Sequence, residues 1–105
     1  METERLRQLP IRIPMEEVAA FCQRHHIRRL SLFGSVLRDD FTPESDVDVL
    51  VEFEAGKTPG FAFVTMAEEL SALLGREVDF LTPGFLHPRF RERVLCEAEP
   101  VYDAA

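Results

Sequence analysis

The sequence predicts an α/β (α+β) fold, in which a small sheet of about three to four strands is flanked by helices. Three observations carry that expectation. Arg28 to Phe33 and Val47 to Phe53 are short β-rich runs bounded by turn residues. Phe63, Met66, Ala67, Leu70, Leu73 and Leu74 recur at helical spacing. Clusters of Pro, Gly, Ser and Thr separate these runs at intervals too short for a second domain.

Taken in order, Pro10 and Pro14 punctuate a mobile or extended N-terminal arm, residues 1–13. The rest, 14–105, reads as a single domain. A first helix is expected from about Pro14 to His25. Glu16 and Glu17 favour its positive end, and Val18, Phe21 and Cys22 form its apolar side. A strand from Arg28 to Phe33 ends at Gly34, and Ser35 to Arg38 forms a short helix. Thr42-Pro43-Glu44-Ser45 is turn chemistry ahead of the strand Val47 to Phe53. After the breaker-rich loop 54–60, a helix runs from about Phe61 to Leu74, with Gly75 as its C-cap. A short strand, Glu77 to Leu81, and a last helix, about Pro88 to Ala98, complete an α-β-α-β-α-β-α order. Phe90, Val94 and Leu95 give that last helix one apolar side. Strand directions are not readable from these patterns.

Composition narrows the function. The chain has 105 residues, 46% of them hydrophobic, with nine Phe, which suffices for a packed core. No apolar run approaches the roughly 20 residues of a membrane span. The charged N-terminus does not resemble a signal peptide, so a cytoplasmic protein is expected. The net charge of -7 weighs against strong nucleic-acid binding, which needs a basic face, and suits a basic protein partner. Cys22 and Cys96 are isolated and form no metal or redox motif; both are expected to be reduced, core or semi-buried thiols.

The chemistry concentrates in LFGSVLRDDFTPESDVDVLVEF. Gly34 permits close backbone approach of a bound group, and Ser35 opens a helix whose N-terminus attracts anions. A nucleoside triphosphate tail would be held there. Asp46 and Asp48 lie two apart on a strand and project to one face, while Val47, Val49, Val51 and Phe53 project to the other. Asp is a poor strand former, and two like charges side by side repel unless a cation joins them. Hard oxygen donors suit Mg²⁺. A two-metal site, with ions roughly 3.5–4 Å apart, needs a third carboxylate. Asp79 is the candidate, as ligand or proton acceptor, and Glu77 on the same face competes with it. Of the remaining clusters, Arg24-His25-His26 reads as a solvated helix end rather than a metal site. His87, Arg89, Arg91 and Arg93 make the last helix basic, a candidate contact for partner or nucleotide. The Gly56–Gly60 loop could act as a lid.

The joint pattern, Gly-Ser, ten residues, Asp-x-Asp and a later strand Asp, resembles the DNA polymerase β-like nucleotidyltransferase superfamily. It is most similar to the minimal nucleotidyltransferases that pair with HEPN-domain proteins. The resemblance runs from about Leu32 to Val101 through GSVLRDD, ESDVDVLVEFEAGKTPGF, LLGREVDFLTPGFLHP and RERVLCEAEPVY. It implies a nucleotidyltransferase palm on a small mixed sheet. Gly34 and Ser35 would bind the triphosphate of ATP, Arg38 would touch phosphate or buttress the loop, and Asp46, Asp48 and Asp79 would hold Mg²⁺, with two ions expected. It implies transfer of AMP to a tyrosine of a HEPN toxin, hence an antitoxin. The alternatives are neutralisation by contact alone and a small-molecule nucleotidyltransferase of the aminoglycoside type. A partner protein or a second copy must supply the acceptor surface, so a homo- or hetero-oligomer is expected. Many relatives follow the arginine with Gly-Asp, whereas this chain has Asp39-Asp40; no catalytic role falls to Asp39.

Overall fold

The computed structural model describes residues 9–38, 41–57 and 59–104. Its elements in chain order are α1 (Met15–Arg24), β1 (Ile27–Phe33), a 3₁₀ turn (Gly34–Leu37), β2 (Val47–Phe53), α2 (Ala62–Leu74), β3 (Val78–Leu81), a 3₁₀ turn (Pro83–Phe85), α3 (Pro88–Glu97) and β4 (Glu99–Asp103). The sheet has four strands in the order β3-β2-β1-β4 and is mixed. β1 pairs antiparallel with β2 and β4, while β2 and β3 run parallel, joined through α2.

The strand β2 shows why the pattern folds this way. Val47, Val49 and Val51 are fully buried on one face and join a core with Val18, Phe21 and Cys22 of α1 and Met66 and Leu70 of α2. Phe53 is partly buried against the same core, so the odd positions of the strand all serve it. Gly75 adopts φ 69°, ψ 24° and ends α2, with its N–H bonded to the Ser71 carbonyl. Only a residue tolerant of the left-handed region caps a helix this way without strain. An ion pair from Arg24 and a hydrogen bond from the C-cap His25 Nε2, at 3.0 Å, both reach Glu69 and tie the end of α1 to α2. The basic cluster at the end of α1 is therefore engaged in the fold rather than simply solvated.

Four expectations need adjustment. The chain ends in a strand, not a helix: Glu99–Asp103 adds β4 at the sheet edge, where Pro100 is tolerated because an edge strand can spare a donor. The turn after Gly34 is a single 3₁₀ turn rather than an α-helical start. No residue of α3 is buried; Phe90 and Leu95 are exposed, so its apolar side does not enter the core. Cys96, on that helix, is exposed, while Cys22 is buried and its thiol is pushed up to about 12 by desolvation. The described end of the N-terminal arm lies against the core through Leu9, Ile11 and Ile13. Residues 1–8, Asp39 and Asp40 lie outside the described residues. Among the described residues, no helix is long and apolar enough to cross a membrane.

Leu70 sits at the α2–sheet contact with no solvent exposure. Leu70→Ala is expected to cost about 2–5 kcal/mol. Urea unfolding should show a lower midpoint with an unchanged m-value.

Candidate active site

The topology gathers one end of the sheet. β1 finishes where antiparallel β2 begins, so Phe33 pairs with Asp48 and Gly34 follows immediately. β3 is parallel to β2 in a register that sets Val47 beside Val78 and Asp48 beside Asp79. The turn, the Asp-x-Asp and the later strand Asp thus converge from positions up to 45 residues apart (34 to 79).

Gly34 is the tightest point. Its φ is 79°, and a Cβ there would lie 2.1 Å from Asp48 Oδ2 and 3.0 Å from its carboxyl carbon. The Asp48 carboxylate therefore rests directly over the glycine backbone, in space that any side chain would fill. Ser35 follows in the 3₁₀ turn, partly buried, with its carbonyl accepting from Arg38 N–H at 2.9 Å. Arg38 is exposed and lines a cleft of about 210 Å³ with Phe33 and Gly34. The opposite wall is α3, through Phe90, Arg93, Val94 and Glu97.

Electrostatics report the crowding. Asp48 is half-buried, and its carboxyl is held above the ordinary range. Partial desolvation is the largest cause, followed by the negative charges of Asp79 and then Asp46; the Arg38 guanidinium pulls in the other direction. Asp46, just ahead of β2, and Asp79 are exposed. The three acids share one field, yet their side chains do not close on a point. Among the described residues no three His, Cys, Asp or Glu side chains are grouped to hold a metal ion. What fits a cation is the donor chemistry: hard oxygens, mutual repulsion, and a backbone register that stations Asp48 and Asp79 abreast.

The basic residues of α3 divide. His87 caps the helix, its Nδ1 accepting from Arg89 N–H at 3.1 Å. Arg91 donates to the carbonyls of Pro83 and Leu86, and Arg93 pairs with Glu97 at 3.2 Å. Neither histidine of the Arg24-His25-His26 cluster faces a metal-like set: His25 meets Glu69, and His26 lies 3.7 Å from Glu54. Two features escaped the sequence reading. One is the place of Phe90 and Val94 in the cleft wall: the sequence offered the helix as a contact only through its basic residues, of which Arg93 does line the cleft. The other is Arg76, whose bonds are taken up below.

Two outcomes follow for experiment. Gly34→Ala should lose about 1–3 kcal/mol from strain at its positive φ, plus the cost of displacing Asp48; thermal melts report the loss. The second concerns pH. A carboxyl raised in the native state keeps its proton after the unfolded chain has lost it. Between the unfolded value, near 3.8, and the higher native value, stability falls as pH rises, and the full penalty applies above that window. Asp48→Asn removes the penalty, so without divalent cation its melting temperature at pH 7 should exceed that of the parent chain. If the acids take up a cation, added Mg²⁺ should raise the parent's melting temperature and leave the variant's unchanged.

Residues 15–100 match the family model of the nucleotidyltransferase domain. A Methanocaldococcus jannaschii protein, provisionally named protein adenylyltransferase MJ0435, is 42% identical over 78 residues, 74% of this chain and 83% of that one. Protein adenylyltransferase MntA of Thermococcus cleftensis is 37% identical over 76 residues, 71% of this chain and 75% of MntA. A solved structure provisionally described as a minimal nucleotidyltransferase is 40% identical, with a TM-score of 0.67 over 92% of this chain and 91% of its own. A toxin–antitoxin complex with AMP-PNP shares the fold at a TM-score of 0.69 and 17% identity, over 87% of this chain and 74% of that one. On the match over residues 15–100 the chain belongs to the nucleotidyltransferase domain family, beside relatives that carry the name protein adenylyltransferase.

Proposed function

We propose that this chain transfers AMP from ATP to a tyrosine hydroxyl of a HEPN-domain toxin and acts as its antitoxin. The observation that carries the reading is the Asp48 carboxylate, set over Gly34 and abreast of Asp79. The relatives named protein adenylyltransferase support the reaction class. Structures of toxin–antitoxin complexes with this fold, one described as a tri-AMPylated HEPN toxin with its MNT antitoxin, support the partner class.

In the proposed reaction the tyrosine oxygen bonds to the α-phosphorus. The bond from that phosphorus to the bridging oxygen breaks, and pyrophosphate leaves. Gly34 and Ser35 hold the triphosphate against the turn, Ser35 through its N–H and hydroxyl, while Gly34 leaves room for the Asp48 carboxylate beside it. Arg38, at the cleft mouth, adds a positive charge toward the phosphates. Asp46, Asp48 and Asp79 are the proposed ligands of Mg²⁺, two ions in the full site. Bound cations would neutralise phosphate charge and acidify the attacking hydroxyl. Asp79, exposed on β3, is the proposed acceptor of the hydroxyl proton or the last member of the ligand set. Protein work here is positioning and charge compensation rather than covalent chemistry. Residues 14–105 form the proposed catalytic domain, and a supply of ATP fits the cytoplasmic location expected from the sequence.

Neutralisation by contact is the second reading, favoured by the three acids standing apart among the described residues. Labelled ATP, Mg²⁺ and a cognate HEPN toxin separate the two. The expected result is label on the toxin and none with Asp46→Asn/Asp48→Asn, which should still bind the toxin but no longer silence it. Silencing that survives the double substitution means that contact suffices. Asp79→Asn should abolish labelling while Glu77→Gln retains it; the reverse would reassign the third carboxylate.

A further inference from the structure

Arg76 lies outside the carboxylate cluster, yet its contacts bear on Asp46. Its Nη1 donates to the carbonyls of Pro43 at 3.0 Å and Ser45 at 3.2 Å, with a longer reach of 3.4 Å to that of Thr42. Its guanidinium carbon stands 4.7 Å above the centre of the Phe41 ring, which packs on the core. The next residue, Glu77, accepts the Val47 N–H on its carbonyl at 2.9 Å. Asp46 sits between these two anchors. The peptide before it is held through the Ser45 carbonyl and the peptide after it through the Val47 N–H. Within the loop, Ser45 closes a turn on Thr42, N–H to carbonyl at 2.9 Å and Thr42 N–H to Ser45 Oγ at 3.0 Å. The left-handed cap at Gly75 is what delivers Arg76 to this position.

We propose that Arg76 is a positioning residue for the cation site, fixing the backbone of Asp46 by clamping residues 42–45 to the start of β3; the inference rests on the metal reading above. A guanidinium offers several fixed donors and a flat face for Phe41, whereas an ammonium offers a point charge. Outer groups that orient metal ligands typically change affinity by roughly 10–100-fold when removed.

The test is Mn²⁺ binding by the full chain, followed by electron paramagnetic resonance, in a cycle of parent, Arg76→Gln, Asp46→Asn and the double variant. Arg76→Gln should weaken Mn²⁺ binding about tenfold, and should add nothing further once Asp46 is Asn, because it acts through that side chain. Equal binding by parent and Arg76→Gln, or the same loss in both backgrounds, overturns the inference while leaving the metal site standing. A parent chain that binds no Mn²⁺ overturns the metal reading, and the role of Arg76 falls with it. Should Arg76→Gln fail to fold, Arg76→Lys replaces it in the cycle, with the same outcomes decisive.

Discussion

The constraint on which the site depends is the parallel pairing of β2 and β3, which holds two carboxylates side by side against their repulsion. Asp48 and Asp79 occupy the same rung, and Asp46 adds a third negative charge nearby. Nothing local favours this arrangement. It persists because Val47, Val49 and Phe80 on the same strands are buried in a continuous core, and a slip of one residue would expose all of them. Hydrophobic register thus enforces electrostatic strain, a common arrangement where charge is to be stabilised by something bound later.

Gly34 belongs to the same constraint. A backbone without a side chain lets the Asp48 carboxylate lie over the turn, where a Cβ would meet its Oδ2 at 2.1 Å. The antiparallel β1–β2 pair fixes that closeness, since Phe33 and Asp48 are cross-strand partners. The α3 wall, half-exposed and polar outside, completes a cleft rather than a core layer.

Much of this was legible in the sequence. The Val47 to Phe53 alternation told which face carries the acids, and the α2 spacing told which residues pack. The Gly-Ser and Asp-x-Asp spacing named the residues that β1, β2 and β3 bring to one end of the sheet. The rest depended on long-range geometry. EPVYD carries a proline and charged ends, and it becomes a strand only because β1 offers it an edge. The apolar positions of α3 look like core positions in a helical projection, but among the described residues none of them is buried. That Asp79, rather than Glu77, is the register partner of Asp48 follows from a parallel pairing that no local pattern encodes. Whether three acids on neighbouring strands also close upon one point is a matter of side-chain rotamers, and the fold alone leaves them apart.

The most direct measurement is residue-resolved broadening of backbone amide signals by substoichiometric Mn²⁺ in nuclear magnetic resonance. If the strands hold a cation-binding array over the glycine turn, Gly34, Ser35, Asp46, Asp48 and Asp79 broaden first, and excess Mg²⁺ restores them. Broadening centred instead on other acids, such as Glu16 and Glu17 of α1, or spread evenly over the surface, would contradict the account.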